Sequence, residues 1–119
     1  MILLIENNVS DMKKLKECVD ICYPDSETAV FVNSDEALNY IRSDDIFVEL
    51  CFTAVVMSGA SGFKIAQEIK RKDKRSKVVF VCDTPEYAGD AWRYCVNDYL
   101  LKPITAEKVR HTLESCHSA

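Results

Sequence analysis

The sequence predicts an α/β domain of (βα)5 order, in which five parallel strands alternate with five helices and form a doubly wound sheet. Five short apolar runs of strand length recur along the 119 residues, and a helical pattern follows each of them. Runs that stay apolar on consecutive positions are typical of strands covered on both faces, as in parallel sheets. Parallel strands require crossover helices, which right-handed connections place on both faces of the sheet.

Apolar runs define the predicted strands. They comprise Ile2 to Ile5, Thr28 to Val32, Leu50 to Val56, Val78 to Cys82 and Tyr99 to Leu101. Pro103 follows the last run and ends it, because proline has no amide hydrogen to donate to a neighbouring strand. The pattern predicts one domain over residues 1–119, with no internal repeat or linker.

Capping residues and apolar stripes define the predicted helices. Side-chain oxygens suited to capping precede four of them, at Ser10, Ser34, Thr84 and Thr105, and the third helix begins at Ser61 or Gly62. Three of the stripes predicted to face inward are Met12, Leu15, Val19 and Cys22 in the first helix, Tyr87, Ala88, Ala91, Trp92 and Cys95 in the fourth, and Val109, Leu113 and Cys116 in the last.

Composition excludes several classes of protein. A net charge of −4 argues against nucleic-acid binding by this domain itself. No apolar run approaches the ~20 residues of a membrane span, and the start lacks the features of a signal peptide. Six cysteines without a C-x-x-C pair indicate reduced thiols, and both histidines lie in the C-terminal tail, so neither a disulfide scaffold nor a metal site is expected. We therefore expect a cytoplasmic protein.

One basic stretch runs against the overall charge. The segment KRKDKRSK, residues 70–77, carries six basic residues and one acidic residue. It is interpreted either as the solvated end of a helix, where cations suit the helix dipole, or as a patch that docks a partner.

Function in doubly wound sheets lies where the strands end, near the point at which the strand order reverses. The residues at these ends are Glu6-Asn7-Asn8, residues 54–62, residues 82–84 and Lys102-Pro103. The stretch CFTAVVMSGASGF, residues 51–63, has the layout of a strand, a site loop and a helix start. It contains no acid, histidine or lysine.

Four segments resemble the receiver domain of bacterial two-component response regulators. They are ILLIENN (2–8), SGFKIAQEIK (61–70), DYLLKPIT (98–105) and the longer stretch EYAGDAWRYCVNDYLLKP (86–103). The longest is most similar to receivers that precede a LytTR-type DNA-binding domain. The resemblance spans essentially the whole chain and implies a CheY-like, flavodoxin-like sheet of order 2-1-3-4-5, with any output domain outside this chain.

The family captures a phosphoryl group on an aspartate at the end of the third strand, with Mg²⁺ held by two acids after the first strand. On this chain the acceptor position falls on Ala54, whose methyl group cannot be phosphorylated. The acid pair becomes Glu6 and Asn7, so one carboxylate is lost. Since Mg²⁺ prefers anionic oxygen ligands, we expect weak or absent Mg²⁺ binding, no cofactor and no catalytic residue.

The other family positions also differ. The loop proline is replaced by Ser58, and the hydroxyl residue that ends the fourth strand is replaced by Cys82, while Lys102 and Pro103 are retained. One engineered substitution at Ala54 would not explain the other departures. They favour a natural pseudo-receiver, which is not an enzyme.

Contacts in this vestigial phosphorylation pocket can be predicted. Lys102 needs a partner for its ammonium and is expected to pair with Glu6. The Lys102–Pro103 bond is expected to be cis, as is typical of the family. Cys82 is either a redox-sensitive thiol near Lys102 or a small apolar plug. Tyr99 occupies the position of the family's switch aromatic. It is expected either to be fixed in one rotamer or simply to be a half-buried aromatic.

These features predict a signalling module that works through protein contacts without phosphorylation and regulates an attached DNA-binding output domain. The alternative is a functional phosphoacceptor switch that uses Asp83. Flavin binding is set aside because Glu6-Asn7-Asn8 lacks the glycines of a phosphate-binding loop. The fourth helix, fifth strand and last helix are the expected homodimer face, with exposed candidates Arg93, Tyr94, Glu107, Arg110 and Glu114.

Overall fold

The computed structural model describes residues 1–43 and 45–118, and the side chains of Leu113 and Cys116, predicted to face inward, lie outside its described part. The strands are β1 (Ile2–Ile5), β2 (Thr28–Phe31), β3 (Leu50–Thr53), β4 (Lys77–Cys82) and β5 (Asp98–Leu101). The helices are α1 (Val9–Cys22), α2 (Ser34–Ile41), α3 (Gly62–Lys72), α4 (Ala88–Arg93) and α5 (Ala106–Ser118), and a 3₁₀ turn (Pro85–Tyr87) precedes α4.

All five strands are parallel, in the order β2-β1-β3-β4-β5, which confirms the predicted fold. The register pairs Ile5 with Thr53 and Thr53 with Phe80. Strands β1, β3 and β4 therefore end near one edge of the sheet, and the residues that follow them converge there. Strand β3 ends at Thr53, three residues earlier than predicted, so Ala54 is the first residue beyond it.

Alternating side chains divide the core into two layers. Leu3, Ile5 and Phe80 pack with α2, α3 and α4, whereas Leu4 and Phe52 pack with α1 and α5. All five are fully buried, and each fully buried side chain of this size contributes about 1.5–3 kcal/mol of transfer free energy. Both faces of the sheet are thus covered, as the consecutive apolar runs predicted. None of the described helices is both long and apolar enough to cross a bilayer.

Two predicted helix caps are wrong by one or two residues. The N-cap of α1 is Asn8 instead of Ser10, and the N-cap of α2 is Asn33 instead of Ser34. Asparagine accepts backbone N–H bonds as readily as serine does, so the earlier residue of each pair captures the free amides. Helix α3 begins at Gly62, one of the two predicted starts, and Ser61 is its N-cap. Its neighbour Gly62 is required by close packing, because a Cβ there would collide with the backbone of Ala54 and Val55.

The predicted buried stripe of the fourth helix is wrong in part. Ala91 is buried, but Trp92 is 83% exposed, and Cys95 lies exposed in the turn beyond the helix with φ of 59°. Helix α4 is only six residues long because the capped segment at Thr84 first forms the 3₁₀ turn. Consecutive residues lie about 100° apart around a helix, so a helix that turns Ala91 inward turns Trp92 outward.

The basic segment 70–77 is largely engaged within the fold. Lys70 donates to the Ser76 carbonyl at 2.6 Å and to Asn97 Oδ1 at 2.9 Å. Lys72 donates to the carbonyls of Ile41 and Ser43. These bonds satisfy carbonyls at the ends of other elements. They favour the interpretation as a helix end over a patch that docks a partner.

Candidate functional site

A cavity of about 390 Å³ opens where β1, β3, β4 and β5 end. Five of the six predicted pocket residues line it, together with Asp83 and others: Glu6, Asn7, Ala54, Cys82 and Lys102. The sixth, Ser58, does not line it. Its side chain is exposed, and its carbonyl accepts a hydrogen bond from Ser34 Oγ at 3.0 Å, which ties the loop to the start of α2.

Ala54 forms part of the cavity wall directly after β3. It is 6% exposed, and its amide donates to the Ile5 carbonyl at 2.9 Å, so the main chain continues the sheet ladder by one bond. Its methyl group carries neither a nucleophile nor a metal ligand. The position at which the strands would present a reactive side chain to the cavity is therefore chemically inert.

Lys102 is held between two carboxylates. Its Nζ lies 2.8 Å from Glu6 Oε1 and 2.6 Å from Asp11 Oδ2. The contact with Glu6 was predicted, whereas Asp11 was missed. The cap at Asn8 was the signal for Asp11: Asn8 Oδ1 accepts from the Asp11 amide at 2.9 Å and places Asp11 in the first turn of α1, facing the cavity. The peptide bond between Lys102 and Pro103 is cis, as expected from the family resemblance.

The three charged side chains differ in exposure. Glu6 is 2% exposed, Lys102 21% and Asp11 35%. The Glu6 Oε1 atom is close enough to Lys102 for an ion pair but has no hydrogen bond of good geometry within the described residues. Partial burial opposes the charged form of Lys102, but the carboxylates of Asp11 and Glu6 outweigh it and raise the pKa of the ammonium.

The cavity does not fit a bound Mg²⁺ ion. Glu6 and Asp11 are both in contact with Lys102, Ala54 offers no oxygen from its side chain, and Asn7 is an exposed amide. Within residues 1–43 and 45–118, no group of three acidic, cysteine or histidine side chains is placed to hold a metal. A cation bound by Glu6 Oε1 and Asp11 Oδ2 would have to displace the lysine from these two atoms.

Cys82 and Tyr99 lie together beside this cavity. The Tyr99 hydroxyl donates to the Thr84 carbonyl at 2.6 Å, and its half-buried ring lies 6.4 Å from that of Phe80. Burial raises the pKa of the Cys82 thiol, with a smaller opposing effect from the hydrogen bond to Tyr99. Since the thiolate is the reactive form, this environment favours the interpretation of Cys82 as an apolar plug over a redox sensor.

Asp83, the alternative acceptor, lies on the exposed rim of the cavity. Lys102 contacts Glu6 and Asp11, so its ammonium is already committed to other carboxylates. The geometry thus gives Asp83 little of the electrostatic support that phosphoryl transfer requires.

The predicted contact face is mostly exposed. Arg93, Glu107, Arg110 and Glu114 are all exposed, and Arg93 pairs with Asp90 at 3.8 Å. Tyr94 is less exposed than predicted, because its ring is half-buried and packs 4.9 Å from the ring of Phe63. A groove of about 570 Å³ runs between β5 and α5, and Tyr99, Leu101, Lys108 and His111 are among the residues that line it.

The fold and the site define a class of protein. The family model of the response regulator receiver domain matches residues 2–114, so the chain belongs to that family. Receiver domains are signalling modules of two-component systems that act through contacts with proteins such as kinases and output domains.

Individual relatives refine this placement. The sensory transduction protein LytT of Bacillus subtilis is 35% identical over 66 residues, which cover 56% of this chain and 27% of LytT. The structures of a response regulator receiver domain protein from Clostridium thermocellum and of a two-component response regulator from Clostridium difficile superpose with TM-scores of 0.82 and 0.81. The first is 22% identical, covering 98% of this chain and 93% of that one, and the second is 20% identical, covering 98% and 94%. These structures support the fold alone, and the match to LytT spans about a quarter of its length.

Proposed function

We propose that this chain is a pseudo-receiver, a receiver domain that signals through protein contacts and accepts no phosphoryl group. The observation that carries the proposal is Ala54, a buried methyl group in the cavity wall directly after β3. Further support comes from Lys102, whose ammonium is neutralised by Glu6 and Asp11. It needs no phosphoryl oxygen to complete its contacts.

The output of this module is proposed from its relatives. LytT proteins are named for sensory transduction, and the match covers only 27% of the Bacillus subtilis protein. We propose that the domain regulates an attached DNA-binding output domain through its protein contacts. A homodimer through α4, β5 and α5 would hold such output domains in a fixed register, and the exposed side chains of Trp92 and Leu101 supply apolar surface on that face.

Phosphorylation is tested directly by incubating the protein with acetyl phosphate and Mg²⁺ and recording its intact mass. We expect no adduct, while a receiver domain with an aspartate at the position of Ala54, treated in parallel, serves as the reference. The matched variant is Asp83→Asn. A stable phosphoryl adduct on the wild type that disappears in Asp83→Asn would establish the alternative acceptor and refute the proposal.

Dimerisation is tested by sedimentation equilibrium over a range of protein concentrations. We expect a concentration-dependent dimer that Trp92→Ser weakens at least tenfold. Val30→Ser is the matched control, since Val30 is also exposed but lies on β2 at the opposite edge of the sheet. A wild type that stays monomeric, or a Trp92→Ser variant that dimerises as well as Val30→Ser, would contradict the assignment of this face.

A further inference from the structure

We infer that Lys102 is the resident cation of the cavity. Its ammonium occupies the point between Glu6 and Asp11 that a divalent cation could take. The native chain is therefore closed to such cations, and removal of the Lys102 side chain opens a metal site. The inference rests on the proposed function in one respect only, which is that Ala54 supplies no carboxylate to the cavity.

The geometry of the two carboxylates resembles that of a coordination site. Glu6 follows β1 and Asp11 lies in the first turn of α1, so their oxygens reach one point from separate elements. That point is the Lys102 Nζ, at 2.8 and 2.6 Å from the two oxygens. Ca²⁺ binds oxygen ligands at about 2.3–2.6 Å. A contraction of a few tenths of an ångström would therefore suffice.

The burial of Glu6 is a second observation that points to a cation ligand. Glu6 is almost completely buried, and its Oε1 has no directed hydrogen bond within the described residues, although it faces the cavity. Such an oxygen retains lone pairs that a hard cation could use. Its charge is balanced by the Lys102 ammonium at 2.8 Å.

The class of ligand follows from the charges and the space. Without Lys102, Glu6 and Asp11 carry a net charge of −2, which matches a divalent cation. Two carboxylates completed by water are a common ligand set for oxygen-seeking ions such as Mg²⁺, Ca²⁺ and Mn²⁺. The cavity of about 390 Å³ leaves room for the water ligands. With Lys102 in place, an incoming cation would meet a like charge between its own ligands.

Mn²⁺ titration of the full chain, with free Mn²⁺ measured by electron paramagnetic resonance, tests the inference. We expect Lys102→Met to bind one Mn²⁺ at least tenfold more tightly than the wild type. The matched control is Lys108→Met, because Lys108 donates to the Leu101 carbonyl on the same side of the molecule but lies outside the cavity. The added substitution Glu6→Gln should abolish the gained binding.

Three outcomes would overturn the inference. They are equal affinity in the wild type and Lys102→Met, no binding by a folded Lys102→Met, and binding that survives in the Glu6→Gln double variant. Circular dichroism checks folding of each variant. If Lys102→Met does not fold, the wild type alone tests the inference by nuclear magnetic resonance. Its amide signals at Glu6 and Asp11 should stay sharp with millimolar Mn²⁺. Selective broadening of these two signals would refute the inference.

The two proposals can fail separately. A phosphoryl adduct on the wild type would refute the pseudo-receiver proposal, whatever the manganese titration shows. Tight Mn²⁺ binding by the wild type without any adduct would refute the role of Lys102 as resident cation and leave the pseudo-receiver proposal in place.

Discussion

Two charged clusters in this molecule have opposite ratios of cations to carboxylates. At the carboxyl edge of the sheet, one cation, Lys102, contacts two carboxylates. On α3, one carboxylate, Glu68, contacts three cations: Arg42 at 3.5 Å, Lys64 at 3.3 Å and Arg71 at 3.1 Å. The side chain of Glu68 is 10% exposed, whereas its three partners are 45–67% exposed.

The two clusters differ in whether water can solvate the charged group that is left without a partner. If one cation leaves Glu68, two others remain, and the group that has lost its partner is hydrated. If Lys102 is removed, Glu6 remains as a buried carboxylate without a counter-charge. Breaking a buried pair on one side costs far more than losing an exposed ion pair. The Glu68 cluster therefore tolerates substitution of a cation, and the Lys102 cluster depends on its single one.

The largest effect is expected for Lys102→Met. Loss of one partner from a buried pair costs about 3–5 kcal/mol, and because Lys102 is itself partly exposed we expect about 2–3 kcal/mol of lost unfolding free energy. Urea denaturation of Lys102→Met beside Lys108→Met measures it. A loss no larger than that of the control would remove the distinction between the clusters.

Glu68→Gln should come next, at about 1–2 kcal/mol, since it removes charge-assisted hydrogen bonds but leaves three cations that water can solvate. The same urea experiment measures it, with Glu107→Gln on the exposed face of α5 as the control. A cost above that of Lys102→Met would reverse the comparison and show that the carboxylate on α3 is the more dependent group.

The pH dependence of the two clusters should differ. Partial burial raises the pKa of Glu68, but hydrogen bonds from Arg71, Lys64 and Arg42 outweigh it, and the pKa is lowered from its ordinary 4.5. This stabilisation is present above pH 4.5 and is lost as the pH falls through the lowered pKa. The pKa of Lys102 is raised above 10.5, so its stabilisation is present below that pH and is lost as the pH rises through the raised pKa.

Unfolding free energies measured against pH test this contrast. The gap between wild type and Glu68→Gln should close on the acid side only, whereas the gap between wild type and Lys102→Met should also close on the alkaline side, where the lysine loses its charge. A gap for Lys102→Met that stays unchanged as the pH rises through the raised pKa of Lys102 would show that this side chain does not contribute through its charge.

The smallest effect is expected for Arg42→Ala. Arg42 is exposed, its contact with Glu68 is the longest of the three, and an exposed ion pair is worth about 0.2–1 kcal/mol. We expect a loss of about 0.5 kcal/mol or less in urea denaturation, because Lys64 and Arg71 remain. A loss above that of Glu68→Gln would mean that Arg42 stabilises α2 through packing and not through the shared carboxylate.

Local patterns predicted the architecture well and the details of the site less well. The strands, the sheet order and the contact between Lys102 and Glu6 agree with expectation. Ser10 was the predicted cap of α1, and a cap at that position gives no indication that Asp11 faces the cavity. Trp92 was predicted to be buried because it is apolar and adjoins the helical stripe, but it is exposed. Whether a position faces the core depends on where the helix begins and how the sheet meets it.

The sequence alone determined the alternation of strands and helices and the absence of an acidic side chain at position 54, because both follow from which residue stands at each place in the chain. Only the tertiary structure decided that Lys102 is shared between Glu6 and Asp11. Lys102 and Asp11 are 91 positions apart in the chain, and no local pattern relates them. They meet because the strands are parallel, so the carboxyl ends of β1 and β5 lie on the same side of the sheet. The Asn8 cap places the first turn of α1 over these ends.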